Sequence, residues 1–273
     1  MRKECSSVRS LVVRRTALAA SAAALALLAT ACGGSSDGDS KDKAGDGKTT
    51  QADKTPSATP AKALTADELE KVALAQKDVD NGKVDTKITG ANDVKKEQVK
   101  AEDTACQPLA LTQASAAQGD PAATVKRVWT EAGKKKPSAS DAMSEEAMLA
   151  SLDLDKVILT LASYEDSGAE TVFKDTKASL EKCAGGFTYT GVGEKVKTLK
   201  VTETEAPEGA DEALAMTMTI AADGGDKMVF KAVVARKDAT VASFVALNLA
   251  AAATGKDFEF PTHIVDTQLA KLK

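Results

Sequence analysis

The chain has few aromatic residues and almost no histidine. Phe, Trp and Tyr make up 3% of its 273 residues, and His263 is the single histidine. A site that needs several histidines is therefore excluded. Because the apolar fraction is still 43%, the core has to be built mainly from Ala, Val and Leu. His263 follows Pro261 at the predicted start of the last helix, where we expect a surface or capping role rather than catalysis.

Neither sign of charge dominates. The chain has 36 basic and 40 acidic residues, for a formal net charge of −4. That balance produces no strong field to attract DNA, RNA or an anionic membrane surface, so nucleic acid is not an expected partner. The common catalytic motifs G-x-S-x-G, H-E-x-x-H and S-x-x-K do not occur in a supporting context. Residues 191–193 (GVG) predict a hairpin turn rather than a phosphate-binding loop, since no third glycine or helix follows.

The first 32 residues have the pattern of an export leader. Basic residues within 1–15 precede an uncharged run of Ala and Leu from Ala17 to Ala31. This run has the length of a signal-peptide core and is too short for a good membrane span. It ends in LLATACGG, which resembles a bacterial lipobox, although Ala29 stands where Leu is usual. In that family the sulfur of the cysteine, here Cys32, receives a diacylglyceryl group.

Two alternatives stay open for this leader. The first is ordinary secretion, with cleavage after Ala31 and an unmodified Cys32. The second concerns the export route, because Arg14 and Arg15 also fit a twin-arginine signal. We favour lipidation, since the cysteine sits at the cleavage point and a Gly/Ser segment follows it. Each buried methylene adds about 0.8 kcal/mol, so two or three acyl chains would hold the protein on the extracellular face of the plasma membrane.

The remaining chain divides into a tether and one folded domain. Residues 32–63 are Gly, Ser, Asp, Lys, Thr and Pro with almost no large apolar side chain, so they cannot bury enough surface to fold. Such a tether has a root-mean-square reach of about 30 Å. Residues 64–273 are predicted to form a single extracellular domain after the signal peptide of residues 1–31.

A strand-turn-helix unit from Asp155 to Gly186 organises this domain. Alternating apolar residues predict a strand, and a helix follows it, with Ser167 and Glu170 at the spacing of a capping box. Cys183 lies on the apolar stripe of that helix. Further helices are predicted from a capping box at residues 65–68, within residues 102–117 and after Pro261. Alternating strands are predicted at residues 84–88, 122–129, 187–190, 196–204, 214–220, 228–235 and 241–248.

Together these elements predict an α+β fold, with helices packed on one side of an antiparallel meander sheet. Cys106 and Cys183 both fall on apolar helix faces in an exported domain, where disulfides persist. We therefore expect them to pair. A redox or metal site is the alternative, but it lacks a C-x-x-C motif and a nearby histidine. Trp129, Tyr164 and Tyr189 are expected to pack the core rather than to line a pocket.

The domain resembles the PknH-like extracellular (sensor) domain family, which occurs in receptor kinases and in stand-alone lipoproteins of high-GC Gram-positive bacteria. The resemblance is carried by the strand Val157 to Tyr164, by the helix residues through Phe173 to Cys183, and by residues 105–109 (ACQPL). It implies an antiparallel sheet with helices, stabilised by disulfides, and a cleft thought to bind a ligand. This chain has one cysteine pair where the kinase sensors carry two, and it has no kinase domain.

We therefore predict an anchored extracytoplasmic lipoprotein whose sensor-type domain binds an unknown small molecule or protein, without catalysis. No cofactor and no metal are expected, the partners are this ligand and the membrane through Cys32, and no binding residues are assigned. One alternative is a carrier of a lipid or small hydrophobic molecule in the cell envelope. A less favoured alternative is a hydrolase that uses a pair of carboxylates.

Overall fold

The computed structural model of the protein describes residues 62–133 and 144–272. The helices are α1 (Ala66–Val72), α2 (Gln107–Gln113), α3 (Glu145–Leu152), α4 (Gly168–Cys183), α5 (Leu249–Thr254) and α6 (Thr262–Lys271). The strands are β1 (Lys83–Asp85), β2 (Val99–Ala101), β3 (Ala123–Thr130), β4 (Asp155–Ser163), β5 (Phe187–Gly191), β6 (Glu194–Thr204), β7 (Glu212–Ala221), β8 (Lys227–Lys237) and β9 (Thr240–Asn248). No helix in these two ranges is long and apolar enough to cross a bilayer. The predicted signal peptide and Cys32 lie outside the described residues.

The strands form one sheet in the order β1-β3-β4-β9-β8-β7-β6-β5-β2. Every pair of neighbours is antiparallel. Strands β5 to β9 are consecutive in the chain and adjacent in the sheet, which confirms the predicted meander. Val192 and Gly193 turn the chain between β5 and β6 with φ angles of 51° and 84°. Two positive φ angles are typical of the tight hairpin turn predicted there.

Helices cover both faces of the sheet, whereas the sequence predicted helices on one side. Along β8, Ala232 and Val234 pack into a first core with α2 and α4, while Val233 and Ala235 pack into a second core with α1 and α6. The reason lies in the central strand β4, where every residue of 157–163 is buried. A strand buried on both faces needs cover on both. Helical periodicity in the sequence predicts which side of each helix is buried. It does not predict which face of the sheet that helix packs against.

Strand β4 pairs with β3 and β9 inside the sheet and α4 covers the sheet, as predicted for this unit, but the helix begins differently. The Ser167 side chain makes no capping hydrogen bond, so the predicted capping box is wrong at this position. A capping residue needs extended backbone, whereas Ser167 has φ −95° and ψ 18°. The turn before it places Asp166 in the left-handed region, with φ 51°. The capping box predicted for α1 is present.

A disulfide joins Cys106 to Cys183 across the first core, as expected from the sequence. Cys106 precedes α2 and Cys183 is the last residue of α4. Both are buried, and their Cα atoms lie 5.9 Å apart. Because 77 residues separate them, the bond ties two parts of the chain that are distant in sequence into one helical layer.

Candidate functional site

The aromatic residues singled out in the sequence belong to the two cores. Trp129, Tyr164 and Tyr189 are all buried, as predicted. The Trp129 indole nitrogen donates a hydrogen bond to the Asn81 carbonyl at 2.8 Å. Burial raises the pKa of Tyr189 to about 12. His263 is exposed and packs edge-on against the Trp129 ring, with 5.3 Å between ring centroids, so it has the surface role that the sequence predicted.

An open cleft lies beside strand β3. Strand β1 pairs only with Val128–Thr130 of β3, so within the described residues no strand pairs with this side of β3 from Ala123 to Arg127. Residues 86–98 pass in front of that unpaired stretch and leave a cleft of about 450 Å³. We call it the edge cleft. Its walls consist of Glu70, Thr86, Ile88, Asp93, Val94, Lys95, Lys96, Glu97, Ala117, Pro121, Thr124, Val125, Lys126 and Arg127.

Lys126 is the buried cation of the edge cleft. Its side chain is 9% exposed, and its Nζ donates a hydrogen bond to the Val94 carbonyl at 2.6 Å. The nearest carboxylate oxygen, Oδ1 of Asp93, lies 3.9 Å from Nζ. Burial lowers the pKa of Lys126 to about 8, with the Asp93 charge opposing this shift and the Lys95 charge adding to it. The pKa of Lys126 is therefore well below that of an ordinary lysine, and no described carboxylate lies closer to its ammonium than 3.9 Å.

Arg127 is buried on the opposite face of the same strand and has a structural role. Its side chain is 5% exposed. Its Nη2 donates to the Glu70 carboxylate at 2.5 Å, and its Nε donates to the Leu74 carbonyl at 3.0 Å. Its Nη1 donates to the carbonyl of Lys126 at 2.9 Å. Because these bonds join α1 and the segment after it to β3, Arg127 fixes one wall of the edge cleft.

The two other cations of the edge cleft already have close partners. Lys95 Nζ lies 2.8 Å from Oδ1 of Asp93, the same oxygen that faces Lys126. Lys96 Nζ donates to the Gly119 carbonyl at 2.6 Å and forms an ion pair with Asp120. Among the described cations of this cleft, Lys126 is thus the one without a close carboxylate. Its neighbour Asp93 lies 3.9 Å away and also pairs with Lys95.

This arrangement can bind a small organic anion. A carboxylate or phosphate that enters the edge cleft can accept a hydrogen bond from the Lys126 ammonium, and a charge-assisted bond of this kind is stronger than a neutral one. Ile88, Val94, Ala117 and Pro121 give the cleft apolar walls. The carboxylates of Glu70, Asp93 and Glu97 also line the cleft, so it is more polar than the mostly apolar surface that is typical of small-molecule sites. The ligand class that fits is an acid with a short apolar portion.

A second, more apolar cavity lies on the face of the second core. Its volume is about 370 Å³, between the loop after β6, the start of α6 and the sheet. Its apolar walls consist of Ala206, Pro207, Ala215, Met216, Ala232, Val233, Phe260 and Val265. Lys231 stands at its margin, where its Nζ lies 3.0 Å from Asp257 and 5.3 Å from the centre of the Phe258 ring. This cavity suits a short apolar group.

Two carboxylates meet where β4 begins, but their partners give them a structural role. The Asn248 amide donates to Asp153 at 3.0 Å and to Asp155 at 2.8 Å. The Asn248 side-chain oxygen in turn accepts from the Ala251 amide and caps α5. The three side chains thus join the end of α3, the start of β4 and the start of α5. Within the described ranges, no group of three or more His, Cys, Asp or Glu side chains is placed to hold a metal ion.

The sequence contained a signal for the edge cleft that our interpretation did not use. Lys126 and Arg127 are adjacent within a predicted strand, between the apolar residues Val125 and Val128. Neighbouring residues of a strand point to opposite faces. Two consecutive cations inside an apolar strand therefore place one charge on each face, and both charges need partners. The composition does not indicate that the edge of β3 stays open.

Comparisons with known proteins give distant structural likenesses. No family model matches the chain, and no curated protein matches it. The chain is similar to the extracellular domain of PknH from Mycobacterium tuberculosis, with a TM-score of 0.45 and 12% identity, over 78% of this chain and 96% of that one. It is also similar to a putative uncharacterized protein from Mycobacterium smegmatis, with a TM-score of 0.31 and 13% identity, over 76% of this chain and 94% of that one. With identities and TM-scores this low, the residues of the chain itself have to carry any functional argument.

Proposed function

We propose that this protein is a lipid-anchored binding protein of the cell envelope, whose domain binds a small organic acid in the edge cleft. The observation that carries the proposal is Lys126, a buried ammonium with a single distant carboxylate neighbour, at 3.9 Å. A buried lysine without a close counter-ion lowers stability, and a ligand that supplies the missing anion offsets this cost. The anchor is the predicted acylated Cys32, with residues 32–63 as the tether. Membership of the PknH-like family stays a prediction.

Binding is expected to depend on the charge of Lys126. A bound carboxylate favours the ammonium form, so the pKa of Lys126 should rise from about 8 when the cleft is occupied. Above that pH the free protein has to take up a proton in order to bind. The apparent affinity for an organic anion should therefore fall as the pH rises beyond about 8.

The test uses hexanoate and benzoate as probes, followed by amide chemical shifts. We expect perturbations to concentrate at residues 93–97 and 124–127, and to weaken as the pH is raised. Lys126→Met should abolish them, whereas Lys87→Met, at an exposed lysine of residues 86–98 that is not part of the cleft walls, should change the affinity less than twofold. Perturbations that persist in Lys126→Met, or that map elsewhere on the domain, would refute the proposal.

A second candidate function, carriage of a hydrophobic molecule, is favoured by the apolar cavity beside α6. Its walls include Met216, Val233, Phe260 and Val265. Mass spectrometry of organic extracts from the purified protein tests this candidate. A retained lipid, lost on filling the cavity with Ala215→Leu, would favour the carrier over the organic-acid site. The edge cleft would be unaffected by that change, because Ala215 lies on β7, far across the sheet from β3.

A further inference from the structure

One half of the sheet carries helices on a single face. The second core draws its strand residues from β1, β3, β4, β7, β8 and β9, and within the described residues none from β2, β5 or β6. On these three strands and on the adjoining part of β7, the surface opposite the first core is open to solvent. We call this surface the lysine–threonine face. Its side chains are Lys100, Thr188, Thr190, Lys195, Lys197, Lys200, Thr202, Thr204, Thr217 and Thr219.

The strand register aligns these residues in rows across the sheet. Lys100 pairs with Thr190, which pairs in turn with Lys195. Lys197 pairs with Thr188 and Lys200 pairs with Thr219. Directly paired residues lie about 5 Å apart, and side chains on one face project in the same direction. The face is therefore an array of ammonium and hydroxyl groups, all able to donate hydrogen bonds, with a register shift in β6 between Thr198 and Lys200.

The charge of this array is positive although the chain is acidic overall. Its four lysines are exposed. Glu102 pairs with Lys195 at 2.6 Å, and Glu205 and Glu208 lie in the loop after Thr204. Within the described residues, Lys100, Lys197 and Lys200 have no ion-pair partner. The net charge of −4 thus conceals a local cationic surface, which the composition could not show.

The described chain enters the domain on this same side of the sheet. Leu64 packs against the second core, and its amide donates to the Ser163 hydroxyl at 2.8 Å. The preceding 61 residues contain the predicted anchor at Cys32 and the short tether.

We propose that the lysine–threonine face docks the domain on an anionic phospholipid surface. Lysines near such a surface each strengthen binding about fivefold, and the effect is lost at high salt. Threonine hydroxyls add donors for lipid phosphates. A membrane is favoured over a soluble partner because the array extends over several strands and lies on the side of the sheet where the described chain begins. Only this last argument rests on the proposed anchor.

The experiment measures binding of the full chain, carrying Cys32→Ala so that no acyl chain contributes, to phosphatidylcholine vesicles with and without phosphatidylglycerol. We expect a preference for the anionic vesicles that disappears at high salt. Lys197→Gln/Lys200→Gln should reduce this preference roughly 25-fold, since two lysines are neutralised. The matched control is Lys174→Gln/Lys177→Gln on α4, which covers the opposite face of the sheet and should change it less than twofold. Circular dichroism and melting curves check that every variant is folded.

Several outcomes would overturn the docking proposal. One is the absence of any preference for anionic vesicles, and another is an equal loss in both double variants, which would indicate an effect of net charge alone. A third is binding to soluble dextran sulfate through Lys197 and Lys200 without binding to anionic vesicles, which would identify an anionic polymer as the partner. Because Cys32 is replaced in every arm, failure of the predicted lipidation would leave these measurements unaffected.

Discussion

Replacing Lys126 by methionine should stabilise the domain at neutral pH while it abolishes anion binding. The pKa of Lys126 falls from 10.5 to about 8 on burial. At about 1.4 kcal/mol per pKa unit, this shift corresponds to roughly 3 kcal/mol against the charged form. Solvent in the open cleft screens the charge, and the variant loses the hydrogen bond to the Val94 carbonyl, so we expect a net gain of about 1 kcal/mol. For a domain of this size the melting temperature should rise by about 2–4 °C.

The gain should depend on pH in a defined direction. The pKa of Lys126 is lower in the folded state than in the unfolded state, so between about pH 8 and pH 10.5 the unfolded chain binds more protons. The wild-type protein therefore gains stability from this group as the pH rises through that window. Methionine has no such titration. The advantage of Lys126→Met should be full below about pH 8 and should shrink as the pH approaches 10.5.

Differential scanning calorimetry between about pH 6.5 and pH 9.5 measures both effects. The matched control is Lys87→Met, because Lys87 is exposed and is not part of the cleft walls; it should alter stability by less than about 0.5 kcal/mol and without a pH trend. If Lys126→Met melts below the wild type by the same amount at every pH, the bond to Val94 outweighs desolvation. The inference that the buried ammonium of Lys126 lowers the stability of the folded domain would then be wrong.

Two further predictions concern the cysteines. Cys32→Ala should move the protein from the membrane fraction to the medium, as measured by fractionation and immunoblotting; continued membrane association would contradict lipidation as the means of anchoring. Cys106→Ala/Cys183→Ala should destabilise the domain by up to about 4.5 kcal/mol in the chain-entropy model for a loop of 77 residues. Chemical denaturation measures that loss, and reduction of the wild type should reproduce it, whereas an unchanged midpoint would show that the bond constrains little.

The strands that the sequence predicted best are those in which a period of two persists for many residues. In β7, Leu214, Met216, Met218 and Ile220 share one buried face, and no helical stripe competes with that pattern. Strand β2 was not predicted, because it has only three residues and depends on distant contacts. The Gln107 side chain accepts from the amide at one end of β2 and donates to the carbonyl at the other. No local pattern encodes such contacts.

The short helix α5 was missed for a different reason. The six residues LAAAAT are uniformly small and apolar, so they show neither a helical stripe nor a strand alternation. The helix starts where it does because the Asn248 side chain accepts from the Ala251 amide at 2.9 Å. Asn248 was assigned to the end of a strand. In the structure Asn248 is both the last residue of β9 and the N-terminal cap of α5.

The sequence could not predict the proposed binding residues, because each proposal depends on which part of the sheet the rest of the chain leaves exposed. Lys126 and Lys197 both lie in alternating strands, and alternation alone places each of them on one face or the other. Lys126 is buried because residues 86–98 pass over the edge of β3. Lys197 is exposed because none of the described helices covers β6 on that side. Which strand residues are covered by other segments is decided by the tertiary fold. That difference gives Lys126 a lowered pKa and leaves Lys197 exposed to solvent.

The order of the strands allows the two proposed surfaces to act together. Strands β3 and β6 are five positions apart in the sheet, which at about 4.8 Å per position places them roughly 24 Å apart. A domain that rests on lipid through the lysine–threonine face would therefore keep the edge cleft near the far edge of the sheet. An organic acid could enter that cleft without displacing the domain from the membrane. If the surfaces are independent in this way, anionic vesicles should leave the affinity for hexanoate within about twofold, whereas competition between the two would place the edge cleft against the membrane.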